Sequence, residues 1–257
     1  MRKFFVDKSQ VNMEKKTISI IGNDVNHIKN VLKNKANDEL DISINEGDCF
    51  LCRIKNFEAD SIVCDIIEKS LKNTEPKNRI TLFQGLPKAD KMEYIIEKCT
   101  EIGIAEFTPV MMHRSIVKLD EKDKIKKVTR WQKIAETAGK QSKRNIIPKI
   151  NNIINFKDLI EIFEKYDIIL IAYENENKNS IKSALKNIES KPNGLNIGIL
   201  VGPEGGIEEQ EIEMCCNGGC PQPPNIKIVH LGDRILRTET AGLVISTIIL
   251  YELGDMD

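Results

Sequence analysis

The sequence contains no long apolar run. Only three apolar residues, Phe4 to Val6, follow the basic start before Asp7, which is too few for the hydrophobic region of a signal peptide. Nowhere do the roughly 18 uninterrupted apolar residues occur that a membrane-spanning helix requires. We therefore expect a cytoplasmic protein that is not inserted in a membrane.

Paired cysteine spacings are also missing. The seven cysteines are an odd number at irregular intervals, and a chain without an export signal keeps such thiols reduced. A zinc site built from Cys215, Cys216 and Cys220 with His230 is an alternative. It lacks the C-x-x-C pairing that is typical of zinc sites. We expect no disulfide bond and no metal.

Two common nucleotide-binding fingerprints are absent. No G-x-x-x-x-G-K-[ST] run occurs, which argues against a nucleotide hydrolase of the P-loop type. Gly198, Gly202 and Gly205 do not have the spacing of the dinucleotide fingerprint, and too few residues follow them to build a Rossmann sheet. The glycines of this stretch need another interpretation.

The chain as a whole has almost no net charge, with a formal value of −1, but its charges are unevenly distributed. Residues 110–149 carry 12 basic and 4 acidic side chains. A concentrated basic segment in a neutral chain is typical of a localised phosphate-binding face. The alternative is an amphipathic helix whose lysines are merely solvated.

Residues 1 to about 72 have the two-residue period of β-strands. Apolar and polar residues alternate in three runs, and a turn at residues 45–48 separates the first two. The alternating residues are Leu40, Ile42, Ile44, Phe50, Cys52, Ile54, Ile62, Cys64 and Ile66. The pattern predicts a small β-barrel, followed by a linker at residues 70–78, where the alternation is lost.

From residue 79, apolar runs of strand length alternate with helical patterns, which indicates a parallel sheet flanked by helices in an α/β fold. The predicted strands are Ile80–Leu86, Ile104–Val110, Asp167–Tyr173, Ile197–Val201 and Ile226–His230. The apolar faces of two predicted helices consist of Met92, Ile95, Ile96 and Cys99, and of Ile125, Val128, Ile134, Ala135 and Ala138.

The last predicted helix runs from about Thr238 to Leu253 and has an unusually broad apolar stripe. The stripe consists of Leu243, Val244, Thr247, Ile248 and Tyr251. Its width predicts contacts beyond the helix's own sheet.

The segment ILVGPEGG, residues 199–206, is a strand that runs into a turn too rich in glycine and proline to continue as strand or helix. Such a turn leaves backbone amides open for a ligand. A purely structural turn explains the segment equally well.

A second dense segment, HLGDRILRTETA at residues 230–241, joins the last strand to the last helix. Thr238 or Thr240 can cap this helix and Glu239 favours its positive end, so a structural explanation exists. That explanation does not cover two arginines just before a helix N-terminus, where the dipole disfavours cations. An anionic partner would account for them.

These two segments resemble, in order and spacing, motifs of the RsmE-type ribosomal RNA uridine-N3 methyltransferases, which belong to the SPOUT class. The run from Lys91 to Gly103 and the segment AGKQSKR at residues 138–144 are similar to further motifs of that family. The start of the chain and residues 27–33 resemble its N-terminal PUA-like domain. One departure is the cysteine-rich link at residues 215–220, which is longer than in relatives and is interpreted as an inserted loop.

The resemblance implies a PUA-like, RNA-binding β-barrel over residues 1–72 and a SPOUT α/β domain with a deep trefoil knot over residues 77–257. It also implies a homodimer that binds S-adenosyl-L-methionine in the knot and acts on small-subunit (16S) ribosomal RNA, free or in the assembled subunit. The implied cofactor-binding residues are Ala172, Leu200, Gly202, Pro203, Glu204, Gly205, Gly206, Val229, Leu231, Gly232, Ile235, Leu236 and Arg237.

Methylation at uridine N3 requires the imide to lose a weakly acidic proton, so a base and a stabiliser of negative charge are expected. We assign the stabilising role to Arg237 and the role of base to Glu204 or Glu239. Phosphate contacts are expected from Arg2, Arg114, Lys140, Lys143 and Arg144. Two alternatives are a SPOUT ribose 2′-O-methyltransferase and a non-catalytic RNA-binding ribosome-assembly factor.

Overall fold

The computed structural model describes residues 3–45, 47–71, 73–186, 188–217 and 225–256. The chain forms two compact units, Met1–Glu75 with Gly139–Ile147, and Pro76–Ala138 with Pro148–Asp257. The ranges expected from the sequence, 1–72 and 77–257, did not include this excursion of nine residues into the first unit. The assignment of those ranges to RNA binding and methyl transfer stays a prediction.

The first unit is built on a six-stranded sheet. Its strands are β1 (Lys3–Val6), β2 (Val11–Asn12), β3 (Thr17–Ile21), β4 (Glu39–Ile44), β5 (Cys49–Phe57) and β6 (Ser61–Lys69). Their order is β1-β4-β5-β6-β3-β2, with β1 parallel to β4 and the other neighbours antiparallel. A 3-10 turn (Lys8–Gln10) precedes β2, and α1 (Asn23–Asn26) continues into a π-helical turn (His27–Val31).

One face of this sheet carries the core of the first unit. Successive side chains of a strand point to opposite faces, so residues two apart are buried together. The buried cluster includes Phe4, Ile18, Ile20, Ile28, Leu40, Ile42, Phe50, Cys52, Ile54, Ile62 and Cys64. The small β-rich domain predicted from the alternating runs is confirmed.

The second unit contains a parallel sheet of seven strands. They are β7 (Arg79–Gly85), β8 (Glu106–Met111), β9 (Lys149–Ile150), β10 (Ile154–Asn155), β11 (Ile168–Ala172), β12 (Asn196–Val201) and β13 (Ile226–Val229). Their order is β10-β8-β7-β12-β11-β13, with β9 also beside β8. All five predicted strands are present as β7, β8, β11, β12 and β13, because buried parallel strands are nearly continuous apolar runs.

The remaining helices are α2 (Lys91–Ile102), α3 (Glu121–Gln141), α4 (Phe156–Ile162), α5 (Ile181–Leu185), α6 (Glu209–Asn217) and α7 (Thr238–Glu252), with a 3-10 turn at Phe163–Lys165. All belong to the second unit except the last three residues of α3, which belong to the first. The sequence predicted α2, α3 and α7. One residue of the predicted α3 face was wrong: Ile125 is 68% exposed, because Trp131, Ala135 and Ala138 define the buried side of this helix.

Helix α7 is apolar around most of its circumference. Ala241, Ile245, Ile249 and Leu250 are buried, while Leu243, Val244 and Ile248 are half-buried and Tyr251 is 66% exposed. A helix that is apolar all round normally packs on more than one side. Of the helices in the described segments, none is both long enough and apolar enough to cross a membrane.

Candidate active site

A pocket of about 710 Å³ lies at the carboxyl edge of the parallel sheet. Strands β12, β11 and β13 are neighbours and run in the same direction, so the loops that follow them meet at one edge. Residues 172–174, 176–177, 202–206 and 230–237 contribute to the pocket wall, together with Lys91 of α2 and Ala241 of α7. The two motif segments, far apart in sequence, therefore line one cavity.

The turn after β12 is so tight that neighbouring atoms leave no room for a side chain at two of its glycines. A Cβ atom on Gly202 would lie 2.9 Å from the carbonyl carbon of Gly206. Gly206 has a φ of +74°, and a Cβ there would collide with the carboxylate of Glu174. The Gly206 amide donates to the Pro203 carbonyl oxygen at 2.9 Å and closes the turn.

The loop between β13 and α7 is open by comparison. Gly232 has a φ of +95°, and no atom lies within 4 Å of the position its Cβ would take. Ile235 is 88% exposed. Arg237 is the N-cap residue of α7 and its carbonyl oxygen accepts from the Thr240 and Ala241 amides, so neither Thr238 nor Thr240 is the cap, contrary to expectation. The guanidinium of Arg237 remains exposed at the pocket.

Lys91, which the sequence did not single out as a site residue, lies between both carboxylates predicted as bases. Its Nζ is 2.9 Å from Oε1 of Glu204 and 3.4 Å from Oε2 of Glu239. Glu204 also accepts from the Lys88 amide at 3.0 Å, which ties the glycine turn to the start of α2. The second contact is an ion pair without an aligned hydrogen bond, since Oε2 of Glu239 has no hydrogen-bond partner among the described residues.

This cluster shifts the acidity of its members. Desolvation raises the pKa of Glu204, but the hydrogen bond from Lys91 and those from backbone amides outweigh it, so the pKa lies below its ordinary value. The hydrogen bond to Glu204, with the charges of both carboxylates, holds the pKa of Lys91 above its ordinary value. Glu204 is therefore a carboxylate at neutral pH, and Lys91 is an ammonium that cannot serve as a base.

A buried glutamine below the pocket, Gln84, was also not predicted as a site residue from the sequence. Nε2 of Gln84 donates to Oγ1 of Thr238 at 2.8 Å, and that hydroxyl donates to the Gly202 carbonyl oxygen at 2.6 Å. These bonds join the end of β7, the glycine turn and the first residue of α7. The glutamine beside Leu82 and Phe83 in this buried strand was the available signal, because a buried polar side chain needs partners.

The predicted cofactor residues fall into two groups. Leu200 and Val229 are fully buried in their strands and do not line the pocket. The residues that do line it are Ala172, Gly202, Pro203, Glu204, Gly205, Gly206, Leu231, Gly232, Ile235, Leu236 and Arg237. Glu239 does not line the cavity but forms an ion pair with Lys91, which does.

The predicted phosphate-binding residues do not share one environment. Arg114 is exposed in the second unit, and its Nη1 donates to the Gly205 carbonyl oxygen at 2.9 Å. In the first unit, Nζ of Lys140 bonds both carboxylate oxygens of Asp24 at 2.9 and 3.0 Å, and Lys143 is exposed. Arg2 lies outside the described residues.

Arg144 does not have the exposure expected of a phosphate ligand. The residue is 3% exposed, and its Nε donates to Oε2 of Glu75 at 3.2 Å within the first unit. The other oxygen of Glu75 accepts from the Asn145 amide at 2.7 Å. An arginine held in this way by a largely buried carboxylate does not present its guanidinium at the surface, so the structure does not support a phosphate contact here.

The cysteine-rich segment can be described only in part. Cys215 is buried in the core of the second unit, and burial raises the pKa of its thiol to about 12. Cys216 is half-buried, and Cys220 lies outside the described residues. In the part of the chain that the structure describes, no three potential ligand side chains are grouped to hold a metal.

A glycine-rich turn and a cationic loop that enclose a cavity at the carboxyl edge of a parallel sheet define an α/β enzyme domain with a small-molecule site. A family model described as an RNA methyltransferase domain matches residues 73–250. The ribosomal RNA small subunit methyltransferase E of Bacillus subtilis (strain 168) is 36% identical, covering 98% of this chain and 97% of that protein.

The corresponding protein of Mesomycoplasma hyopneumoniae (strain 232) is 34% identical over 96% of this chain and 98% of its own length. A crystal structure of ribosomal RNA small subunit methyltransferase E from Neisseria gonorrhoeae, bound to S-adenosyl methionine, is 28% identical with a TM-score of 0.81 and covers 98% of each chain. The chain therefore belongs to the RNA methyltransferase domain family and, within it, to the ribosomal RNA small subunit methyltransferase E family. The resemblance inferred from the motifs is confirmed, whereas the trefoil knot stays a prediction.

Proposed function

We propose that this protein transfers a methyl group from S-adenosyl-L-methionine to N3 of a uridine in small-subunit ribosomal RNA, in the cytoplasm and as a homodimer. The observation that carries the proposal is the single cavity formed by the glycine turn and the arginine-bearing loop. It is supported by the nearly full-length similarity to relatives named for this activity.

The cavity suits the cofactor in size and chemistry. Its volume of about 710 Å³ lies within the range of small-molecule sites, roughly 300 to 1,000 Å³. The glycines at 205, 206 and 232 keep side chains out of the wall, so backbone groups can bond the edge of an adenine. Leu231 and Leu236 supply apolar surface, and the relative from Neisseria gonorrhoeae was crystallised with this cofactor.

Charge in the wall also matches the cofactor. Carboxylates of Glu174, Glu176, Glu204 and Asp233 line the cavity together with the cations Lys91, Arg234 and Arg237, and Lys91 is paired with Glu204. When bound, S-adenosylmethionine supplies an electrophilic methyl group on a positively charged sulfonium. Carboxylates near a cation stabilise it, and the partly enclosed site strengthens this attraction relative to water.

The chain's own residues would assist loss of the N3 proton. Arg237 is exposed at the cavity and can stabilise negative charge on the uracil carbonyl oxygens as N3 becomes nucleophilic. Glu204 lines the cavity whereas Glu239 does not, which supports Glu204 as the proton acceptor. Holding the reacting groups in line contributes further, by about 7 to 11 kcal/mol in well-oriented model systems.

Exposed cations outside the cavity would hold the RNA by its phosphates. Arg114 bonds the glycine turn through Gly205 and remains exposed, so it can place a phosphate beside the pocket. Lys140 and Lys143 are candidates on the first unit, and Arg2 remains one from the sequence alone. The homodimer is proposed because α7 has half-buried Leu243, Val244 and Ile248 and exposed Tyr251, an apolar surface that a second copy can cover.

Labelled methyl transfer tests the proposal. The protein is incubated with methyl-labelled S-adenosylmethionine and small ribosomal subunits that lack the modification, and the RNA is digested to nucleosides for mass spectrometry. Label in the base of N3-methyluridine supports the proposal. Label in a ribose indicates the 2′-O-methyltransferase instead, and cofactor-independent RNA binding without label indicates an assembly factor.

A further inference from the structure

The exposed side of α3 carries a cationic stretch that the proposed phosphate contacts do not include. Between residues 124 and 135 the helix has five basic residues and no acidic one. Neighbouring cations repel one another on a helix when they are three or four residues apart, as Lys122 and Lys126 are. Repulsion between these lysines therefore destabilises the helix.

Several of these cations have a partner within the chain. Arg130 Nη2 is 2.7 Å from Oε1 of Glu93, and Lys124 Nζ is 2.7 Å from Oε1 of Glu121. Lys127 Nζ lies 5.7 Å from the centre of the Trp131 ring. Because of these contacts, the positive charges of these three residues are stabilised within the chain and need no external ligand.

Three exposed lysines, Lys122, Lys126 and Lys133, are different. Lys126 lies 3.8 Å from Asp123, with both side chains more than half exposed, which is a weak and screened pair. Among the described residues, no carboxylate lies within ion-pair distance of Lys122 or Lys133. We call these three residues the α3 lysine row.

The row is straight and faces away from the core. With 3.6 residues per turn, the three positions fall within about 40° of one another around the helix axis. They lie opposite Trp131 and Ala135, which are buried in the second unit. A rise of 1.5 Å per residue spaces the lysines by about 6 Å and about 10 Å along the axis, so the row presents a line of charges suited to a linear polyanion.

The helix that carries the row is linked to a helix that begins at the pocket. The Arg130–Glu93 ion pair joins the middle of α3 to the first turn of α2, and α2 begins at pocket residue Lys91. An RNA strand that places one base in the cavity must lay its neighbouring phosphates on the adjoining surface. A membrane is a poorer match, because Trp131, Ala135 and Ala138 of α3 are buried and Ile125 is the one large apolar side chain that the helix exposes among the described residues.

We propose that the α3 lysine row binds the phosphate backbone of the RNA substrate next to the methylated base. This inference rests on the proposed function and adds a binding surface to it. Each lysine neutralises one phosphate and releases its condensed counterion, so the row contributes to affinity without reading sequence.

The test is the salt dependence of binding to transcribed small-subunit ribosomal RNA. In the triple variant Lys122→Ala, Lys126→Ala, Lys133→Ala, the slope of log affinity against log salt concentration should become shallower by about 2 to 3. A matched control removes three exposed lysines, one in α4, one in α5 and one directly after α5, in Lys157→Ala, Lys182→Ala, Lys186→Ala; it lowers net charge equally and should keep the wild-type slope.

Two further measurements separate the possible failures. Calorimetric affinity for S-adenosylmethionine should be the same in wild type and triple variant, which shows that the pocket is intact. The triple variant should need more RNA for half-maximal methyl transfer and reach the wild-type rate at saturation. If wild type forms N3-methyluridine but the triple variant and control have equal salt slopes, this inference is overturned alone. If wild type forms no methylated product, the proposed function fails, whatever the slopes.

Discussion

Two segments of this chain carry arginines that the sequence predicted to meet an external anion, and only one of them leaves its arginine exposed. In residues 139–147, Arg144 is buried against Glu75. In residues 230–238, Arg237 is exposed at the cavity wall. The comparison shows that a cluster of cations predicts an anionic partner, while the location of that partner depends on whether the fold brings a carboxylate to the cluster.

The buried cluster is fully satisfied by its own chain. Glu75 accepts from the Asn145 amide at 2.7 Å, and the Asn145 carbonyl oxygen accepts from Oγ of Ser43 at 2.6 Å. Lys3 donates to the Lys143 carbonyl oxygen at 3.1 Å. These partners are 69 to 140 residues away along the chain, so no local pattern identifies them.

The largest expected effect is on the buried pair. Arg144→Ala leaves the Glu75 carboxylate buried without its cation and should lower the stability of the first unit by about 3 to 5 kcal/mol. Amide hydrogen exchange of β4 and β5 measures this. Lys143→Ala, at an exposed neighbour, should stay within about 0.5 kcal/mol. The double variant Glu75→Gln, Arg144→Met should recover part of the loss, and equal stability of Arg144→Ala and Lys143→Ala would contradict the pairing.

Arg237 should show the opposite behaviour. Arg237→Ala removes a stabiliser of developing negative charge and should slow methyl transfer about 10²- to 10³-fold, with unfolding unchanged. Single-turnover transfer to unmodified small subunits measures the rate. Arg234→Ala, at an exposed position of the same loop, is the matched control and should have a smaller effect. A wild-type rate in Arg237→Ala would remove this residue from the mechanism.

The cluster of Lys91, Glu204 and Glu239 is an intermediate case, because its charges are paired but partly exposed. A carboxylate with a lowered folded-state pKa stabilises the fold above its unfolded pKa, and this contribution is lost as the pH falls through the folded value. In Glu204→Gln, the free energy of unfolding should no longer decrease through this group as the pH falls. The difference from wild type should be about 1 kcal/mol or less, because the pair is partly exposed. Thermal unfolding between pH 7 and pH 3 tests it, and identical pH dependence of the two proteins would refute the pairing.

The smallest expected effect on stability is at Ile235. This side chain is 88% exposed, so Ile235→Ser should change the free energy of unfolding by no more than about 0.5 kcal/mol. Affinity for S-adenosylmethionine should nevertheless fall if the cofactor covers the apolar side chain. Calorimetry compares this variant with Ile116→Ser, an exposed isoleucine outside the cavity wall. Equal affinities would exclude Ile235 from the cofactor site.

Burial on both faces made the parallel sheet predictable. Strands β11 and β12 are short apolar runs; the glycine motif follows the carboxyl end of β12, and the arginine-bearing loop follows the neighbouring strand β13. Helices α4, α5 and α6 were not predicted, because they have five to nine residues and too few turns for a clear period.

The site was predictable where it depends on backbone shape and less so where it depends on side-chain pairs. Gly202 and Gly206 identify the turn because only glycine fits there. Lys91 and Gln84 take their roles from contacts with residues more than 100 positions away. Leu200 and Val229 were expected in the cavity wall, but strand side chains alternate between faces and these two point into the core.

Because the nine-residue segment Gly139–Ile147 belongs to the first unit, that unit cannot finish folding before this segment has been synthesised. Glu75 leaves the ribosome long before Arg144, so the first unit lacks this ion pair until more than half of the polypeptide has been synthesised. A domain that would otherwise fold first during translation must wait for a segment encoded inside its neighbour. A fragment that stops at residue 75 would consequently keep a carboxylate with no counter-charge and should be degraded more readily than the intact chain.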